Sequence, residues 1–277
     1  MRIRTSIFGA LAIPAAIAFA VTAPALAQTP EELAKKLANP VASLISLPLQ
    51  NNFDLNYRGA QIDGGYKYII NIQPVIPITL NKTWNLISRT ILPFAQQSNT
   101  TGPGEVTTGL GDTLQSFFFS PAAPSKRLGL IWGVGPAILI PTGEHGYFGG
   151  EKWAMGPTFV VLKQAGPWTI GMLANQLWQL GGKGTPEEPT VVNSMFLQPF
   201  LSRAYKGGIS WVVNTEFTRN WAAHSSMGAI NFDVAQVLPV FGQLVQVAFG
   251  PKYFYGSASV RARWGFRLNL VFLWPKK

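Results

Sequence analysis

Residues 260–274 read VRARWGFRLNLVFLW, and this stretch decides the fold class. Its apolar side chains recur at every second position from Val260 to Trp274. The positions between them hold its polar residues, Arg261, Arg263, Arg267 and Asn269. A repeat of two is typical of a β-strand whose two faces meet different surroundings. The alternation continues for 15 residues, which exceeds most strands of soluble proteins and suits a tilted strand that crosses a membrane.

The same period of two recurs throughout residues 41–277 and predicts an all-β fold, a transmembrane antiparallel β-barrel of about twelve strands. It is clear at 65–80, where Tyr66 and Ile70 fall on one face and Lys67 and Asn71 on the other. The predicted strands are about 44–57, 65–80, 83–97, 107–119, 128–141, 152–164, 167–180, 191–205, 209–221, 227–238, 241–255 and 260–274.

The connections between these strands support the barrel prediction. Short connections, such as 81–82 and 165–166, alternate with longer polar ones, such as 98–106 and 181–190. Outer-membrane barrels have short turns on the periplasmic side and long loops outside. With an even strand number, both ends of the barrel are therefore expected on the periplasmic side. Six prolines inside the predicted strands indicate bulges or broken ladders: Pro74, Pro77, Pro93, Pro136, Pro157 and Pro199.

Composition agrees with a wall that faces lipid. Only 12% of the residues are charged, against roughly 25% in a typical globular chain. Aromatic residues make up another 12%, and the nine Trp fall near predicted strand ends. Aromatic girdles of this kind mark the two membrane interfaces of a barrel.

Residues 1–27 are predicted to be a cleaved signal peptide. Arg2 and Arg4 precede an apolar run, and Ala25-Leu26-Ala27 gives the small-x-small cleavage pattern before Gln28. The alternative is a membrane anchor, but the run is short and Pro14 interrupts it. An exported β-barrel belongs in the outer membrane of a Gram-negative cell, so we expect that location and contact with its lipid.

Residues 28–40 form the predicted N-terminal helix or leader. Thr29 suits an N-cap, Pro30 suits the first helical position, and Glu32 completes a capping box. Three interpretations stay open: a helix at the periplasmic rim, a helix that plugs the lumen, and a frayed leader. The barrel domain is predicted at 41–277.

Several functional classes are excluded or disfavoured by residue counts. Without cysteine there is no disulfide or thiolate chemistry, and two histidines leave little basis for a metal or catalytic centre. His145 beside Glu144 falls short of a metal site, and His224-Ser225-Ser226 resembles a solvated loop more than a triad. We therefore predict no catalytic residues, metal or cofactor. The net charge of +10 accompanies no long basic cluster, so nucleic acid is not an expected partner.

Charged residues on the predicted inner face are the candidate functional residues. They are Lys67, Arg89, Asp112, Glu216, Asp233, Arg261, Arg263 and Arg267. One interpretation is a charged lumen that sets solute selectivity, with the three arginines of the last strand as one cationic stripe. The other is a set of salt bridges that brace the interior. Twelve strands lie between packed eight-strand barrels and open porins, so a narrow, partly filled passage is expected.

The last strand also carries a sorting pattern. Arg263, Gly265, Leu268 and Leu270 follow the polar-x-Gly-x-x-apolar-x-apolar order of barrel-assembly signals. The barrel-assembly machinery is accordingly an expected partner.

Eight runs spread over the chain resemble an outer-membrane channel family named for the meta-pathway of phenol degradation. They are 38–46 (ANPVASLIS), 71–77 (NIQPVIP), 84–90 (WNLISRT), 109–112 (GLGD), 119–121 (FSP), 133–136 (GVGP), 166–169 (GPWT) and 196–200 (FLQPF). The resemblance implies an outer-membrane barrel, often called a transporter, for passive passage of small molecules, aromatic or anionic ones among them. Two alternatives remain: a structural or adhesive barrel with a closed lumen, and a lipid-modifying barrel enzyme.

Overall fold

A closed antiparallel β-barrel of twelve strands is the architecture of the chain in a computed structural model, as the sequence predicts. The structure describes residues 28–59, 62–100, 104–144, 148–182 and 191–275. The predicted signal peptide, residues 1–27, lies outside these residues, as does His145.

The elements are α1 (Pro30–Leu37), β1 (Leu44–Gly59), β2 (Ile62–Ile72), β3 (Val75–Thr79), β4 (Trp84–Ser98), β5 (Val106–Leu110), β6 (Thr113–Pro121), β7 (Leu130–Ile140), β8 (Lys152–Ala165), β9 (Trp168–Gly182), β10 (Asn193–Ala204), β11 (Ile209–Asn220), β12 (Ser225–Val240), β13 (Gln243–Gly256) and β14 (Trp264–Pro275). β2 with β3 forms one barrel strand, and β5 with β6 forms another, because each pair runs along β4. The barrel closes where β1 pairs with β14, from Leu44 opposite Pro275 to Leu55 opposite Trp264.

Prolines explain the two interruptions. The barrel strand made of β2 and β3 is interrupted at Gln73-Pro74, because Pro74 has no N–H to donate to a neighbouring strand. The break between β5 and β6 lies beside Pro93, whose carbonyl accepts from Gly111 N at 2.8 Å. Pro136 and Pro157 lie opposite each other across β7 and β8, and each falls in a gap of the ladder on its other side, Pro136 in that between β6 and β7 and Pro157 in that between β8 and β9. The predicted irregularities are therefore confirmed at these positions.

The barrel has two distinct ends. We call the end that holds Leu44 and Pro275 the terminal end, and the opposite one the loop end. Connections at the terminal end include the tight turn at 241–242, whereas those at the loop end include the segments 141–151 and 183–192. Trp84 packs against Trp132 at 5.8 Å, and Trp168 against Trp211 at 5.6 Å, near the terminal end. Four exposed Trp residues lie near the loop end: Trp153, Trp178, Trp221 and Trp264.

The strands separate outer from inner side chains as the period of two predicts. On β12, Ile230, Phe232 and Val234 are exposed on the outer face, whereas Asn231 and Asp233 are buried on the inner face. An exposed apolar belt of this kind suits hydrocarbon rather than water. Among the described residues, α1 has eight residues, and no helix is long and apolar enough to cross a membrane.

The N-terminal helix enters the terminal end of the barrel. Thr29 and Glu32 form the predicted capping box, with Glu32 N 3.2 Å from Thr29 Oγ1. Leu33 and Ala34 are buried against inner-face residues of β1, β10, β12 and β14: Leu44, Ala204, Val237, Val271 and Leu273. The side chain of Gln164 donates to the carbonyl of Lys35 at 2.8 Å. Of the three interpretations of this segment, the structure selects the plugging helix.

The interior has two regions, called here the apolar half and the polar half after the cluster that marks each. Inner-face side chains of β4, β6, β8 and β9 pack with Val41 into an apolar cluster of Val41, Ile87, Phe118, Val160, Leu162 and Leu173. The buried polar residues of β1 and β11 to β14 face this cluster from the other side: Asn52, Asp54, Asn214, Asn231, Asp233, Gln246, Lys252 and Arg267. Other buried polar side chains lie on β4, β6, β8 and β9, and other buried apolar ones on β12 to β14.

Neighbouring residues on β2 provide a direct test of the two faces. Ile72 lies on the outer face opposite Leu49 and Leu92, whereas Asn71 lies inside and donates to Gln50 Oε1 at 3.1 Å. Ile72→Arg should lower the free energy of unfolding in lipid by about 2–4 kcal/mol, because a cation enters hydrocarbon. Asn71→Arg should cost about 1 kcal/mol, the value of the lost hydrogen bond. Urea unfolding in vesicles measures both, and equal losses would contradict the assignment of faces.

Candidate functional site

A buried ion pair lies at the centre of the polar half. Arg267 donates to both carboxylate oxygens of Glu216, at 2.9 and 2.8 Å, and its Nε donates to Asn52 Oδ1 at 2.9 Å. Gln198 also donates to Glu216 at 3.3 Å. The structure therefore brings together two predicted residues, Arg267 and Glu216, with one guanidinium nitrogen, Nη2, donating to both carboxylate oxygens.

A second ion pair lies beside it and was missed from the sequence. Lys252 Nζ is 2.7 Å from Asp54 Oδ1 and 3.2 Å from Asn52 Oδ1. Both side chains are almost fully buried, with 5% and 6% exposed. A signal was present: Gln50, Asn52 and Asp54 alternate with apolar or lipid-facing positions on β1. Asn52 bonds to Lys252 and Arg267 alike, so the two ion pairs form one network across β1, β11, β13 and β14.

Two predicted cations on β2 and β4 lie apart from this network. Arg89 Nη2 donates to the neutral amide oxygen of Gln73 at 2.8 Å. Within the described ranges of the chain, no carboxylate lies within ion-pair distance of Arg89. The Nζ of Lys67 lies 5.4 Å from the ring centroid of Phe148 in the loop between β7 and β8. Arg89 thus presents a cation inside the barrel without a bound carboxylate.

Asp112 fastens a loop. It lies in the interruption between β5 and β6, where its Oδ1 accepts from Gly143 N at 3.0 Å and its Oδ2 from Gly150 N at 2.8 Å. Both glycines belong to the connection between β7 and β8, so this carboxylate draws the base of that loop onto the wall. Hydrogen bonds to both of its oxygens favour a structural role for Asp112.

The prediction that Arg261, Arg263 and Arg267 line the lumen together on the last strand is wrong. β14 begins only at Trp264, and Arg261 forms an isolated bridge with Arg58 at the loop end. Ala262 is buried, whereas Arg263 and Trp264 are consecutive and both exposed, so the alternation is interrupted there. Arg267 lies in the lumen, while Arg261 and Arg263 lie at the rim beside a surface depression that Arg58 and Ser259 also line.

Asp233 lines a cavity of about 250 Å³ in the terminal half of the lumen. α1 covers this cavity at the terminal end, and Arg89 and Arg267 belong to its wall on the other side. Apolar groups line it too, among them Leu37 and Phe200. The cavity therefore joins the helix, the polar half and the apolar half of the interior in one space.

The chain is similar to known proteins in its fold. No protein-family model and no curated protein sequence matches the chain. Among solved structures, an outer-membrane channel from Pseudomonas putida F1 superposes with a TM-score of 0.62 at 15% identity, over 83% of this chain and 94% of that one. Two others are more distant: OccK7 (OpdD) from Pseudomonas aeruginosa, with a TM-score of 0.35 at 7% identity over 84% of this chain and 100% of that one, and OccAB3 from Acinetobacter baumannii, with 0.40 at 7% over 83% and 98%.

The likeness to the Pseudomonas putida channel establishes the fold, a twelve-strand barrel shared with an outer-membrane channel. The narrower resemblance to the family named for phenol degradation stays a prediction.

Proposed function

We propose that the chain is an outer-membrane channel through which small solutes diffuse without energy input. The observation that carries this proposal is the divided interior of a closed barrel, where a polar half follows β1 and β11 to β14 beside an apolar half. The cavity of about 250 Å³, lined by polar, charged and apolar side chains, gives water and a small solute room beside this half. The exposed apolar belt and the fold of the Pseudomonas putida channel support an outer-membrane location.

The same division favours one class of solute. Among the described residues, no carboxylate lies within ion-pair distance of the Arg89 guanidinium, and apolar side chains such as Phe200 line the same cavity. A small anion with an apolar body, an aromatic acid for example, would use both surfaces. Uptake of such solutes across the outer membrane is the proposed role, after export by the predicted signal peptide and insertion by the barrel-assembly machinery.

Conductance in planar lipid bilayers tests the channel. The purified mature chain should give discrete current steps with a preference for anions. Arg89→Gln should shift the selectivity toward cations, because it removes a lumen cation while an amide still faces Gln73. The double variant Arg261→Gln and Arg263→Gln is the matched control, since both residues lie at the rim. Equal shifts in variant and control would contradict this assignment of the selective charge.

A structural barrel with a closed lumen is the second candidate. α1 occupies the terminal end, and the pairs Arg267–Glu216 and Lys252–Asp54 link strands across the interior, as braces would. Such a barrel would give no current steps and no swelling of solute-loaded vesicles. The absence of both current steps and vesicle swelling would therefore favour this candidate over the channel.

A further inference from the structure

The cavity beneath α1 has the size of a small-molecule site. Its volume is about 250 Å³, and Leu37, Val75 and Phe200 supply apolar wall. A cavity of about 150 Å³ holds benzene, so by proportion this one accommodates roughly ten non-hydrogen atoms. Ligand sites of this kind combine apolar walls with a few polar groups that fix orientation. Two of the polar side chains here lack hydrogen-bond partners among the described residues.

Asp233 presents a buried acceptor that the protein does not satisfy. The residue is 4% exposed, it lines the cavity, and its Oδ1 has no hydrogen-bond partner among the residues that the structure describes. Asn269 lines the same cavity, and its Oδ1 is also buried without a described partner. Buried acceptors are nearly always paired in native proteins, because leaving one bare costs its lost hydration. An occupant that brings donors, whether water or a solute, would satisfy both acceptors beside this cavity.

Arg89 provides hydrogen-bond donors and a positive charge in the same cavity. Its guanidinium carries five N–H donors, and the neutral oxygen of Gln73 takes one of them at 2.8 Å. Both carboxylate oxygens of the nearby Glu216 already accept from Arg267. A carboxylate is the group that best matches the remaining fork of donors.

We propose that this cavity binds a small monocarboxylate that also carries a hydrogen-bond donor, either a hydroxyl or an ammonium group. Arg89 holds the carboxylate, Asp233 accepts from the donor group, and the apolar body lies against Val75 and Phe200. The proposal deepens the channel function and rests on it for the route by which the solute arrives. The proposal restricts the solute to small anions that also carry a hydrogen-bond donor. An analogue without the donor would leave the Asp233 carboxylate without a hydrogen bond.

Three benzoates of similar shape test the proposal by isothermal titration calorimetry on the refolded mature chain in detergent. They are 4-hydroxybenzoate, 4-(aminomethyl)benzoate and benzoate. At least one of the two donor-bearing compounds should bind about tenfold more tightly than benzoate, and the tighter one identifies the donor. Arg89→Gln should weaken all three by about tenfold. Arg261→Gln, a rim arginine outside the cavity, should leave all three unchanged.

Asp233→Ala supplies the decisive readout, because it should erase the difference between the donor-bearing compounds and benzoate. Heat-modifiable migration in gels checks that each variant is folded, and Asp233→Leu, which fills the same space without an acceptor, serves if the alanine variant is not. A difference that survives the loss of Asp233, or no difference in the native chain, overturns the site. A conducting chain that binds none of the compounds keeps the channel and removes the site. Binding without conductance keeps the site and removes the channel.

Discussion

Asp54→Asn is expected to destabilise the barrel by about 3 kcal/mol, because it leaves the ammonium group of Lys252 buried without a carboxylate. Lys252 Nζ lies 2.7 Å from Asp54 Oδ1, and neither side chain is more than 6% exposed. Its other described hydrogen bond goes to the neutral Asn52 Oδ1 at 3.2 Å, which cannot replace a charge. The penalty comes mainly from the stranded cation, since a well-made buried pair contributes little net stability.

Urea unfolding followed by tryptophan fluorescence measures this loss. The double variant Asp54→Leu and Lys252→Met removes both charges and should recover most of the stability, which separates a stranded charge from a lost contact. Lys163→Met, at an exposed position near the end of β8, is the matched control and should change stability by less than about 0.5 kcal/mol. If the double variant were as unstable as Asp54→Asn, the ion-pair explanation would be wrong.

Leu33→Glu is expected to raise the conductance several-fold by driving α1 out of the terminal end. Leu33 is fully buried against the inner faces of β1, β10, β12 and β14. A carboxylate at that position would lose its hydration against apolar side chains, which disfavours the docked helix. An α-helix with its side chains is about 10–12 Å wide, so its departure opens much of the terminal end.

Planar-bilayer recording compares this variant with Glu31→Gln, a control on the same helix that alters charge outside both the apolar contact and the cavity. A chain that lacks residues 28–40 should reproduce the Leu33→Glu conductance. Equal conductance in the native chain, Leu33→Glu and the shortened chain would mean that α1 does not limit the passage.

The sequence by itself determined the class of fold and the facing of most strand residues. Side chains two apart lie on the same face of any β-strand, so the alternation of Ile230, Phe232 and Val234 with Asn231 and Asp233 is a local property. The capping box of Thr29 and Glu32 is equally local, because its hydrogen bonds join residues three apart. Pro74 likewise marked the break between β2 and β3 because it cannot donate.

Only the tertiary structure decided which inner-face charges meet. Asp54 and Lys252 are 198 residues apart, and they come together through the closure of β1 with β14 and the register of β13. The displacement of Arg261 and Arg263 to the rim has a related cause, since alternation persists only while the ladder is continuous and β14 begins at Trp264. The docking of α1 depends on apolar side chains that four separate strands supply, and no local pattern in residues 28–40 encodes that surface.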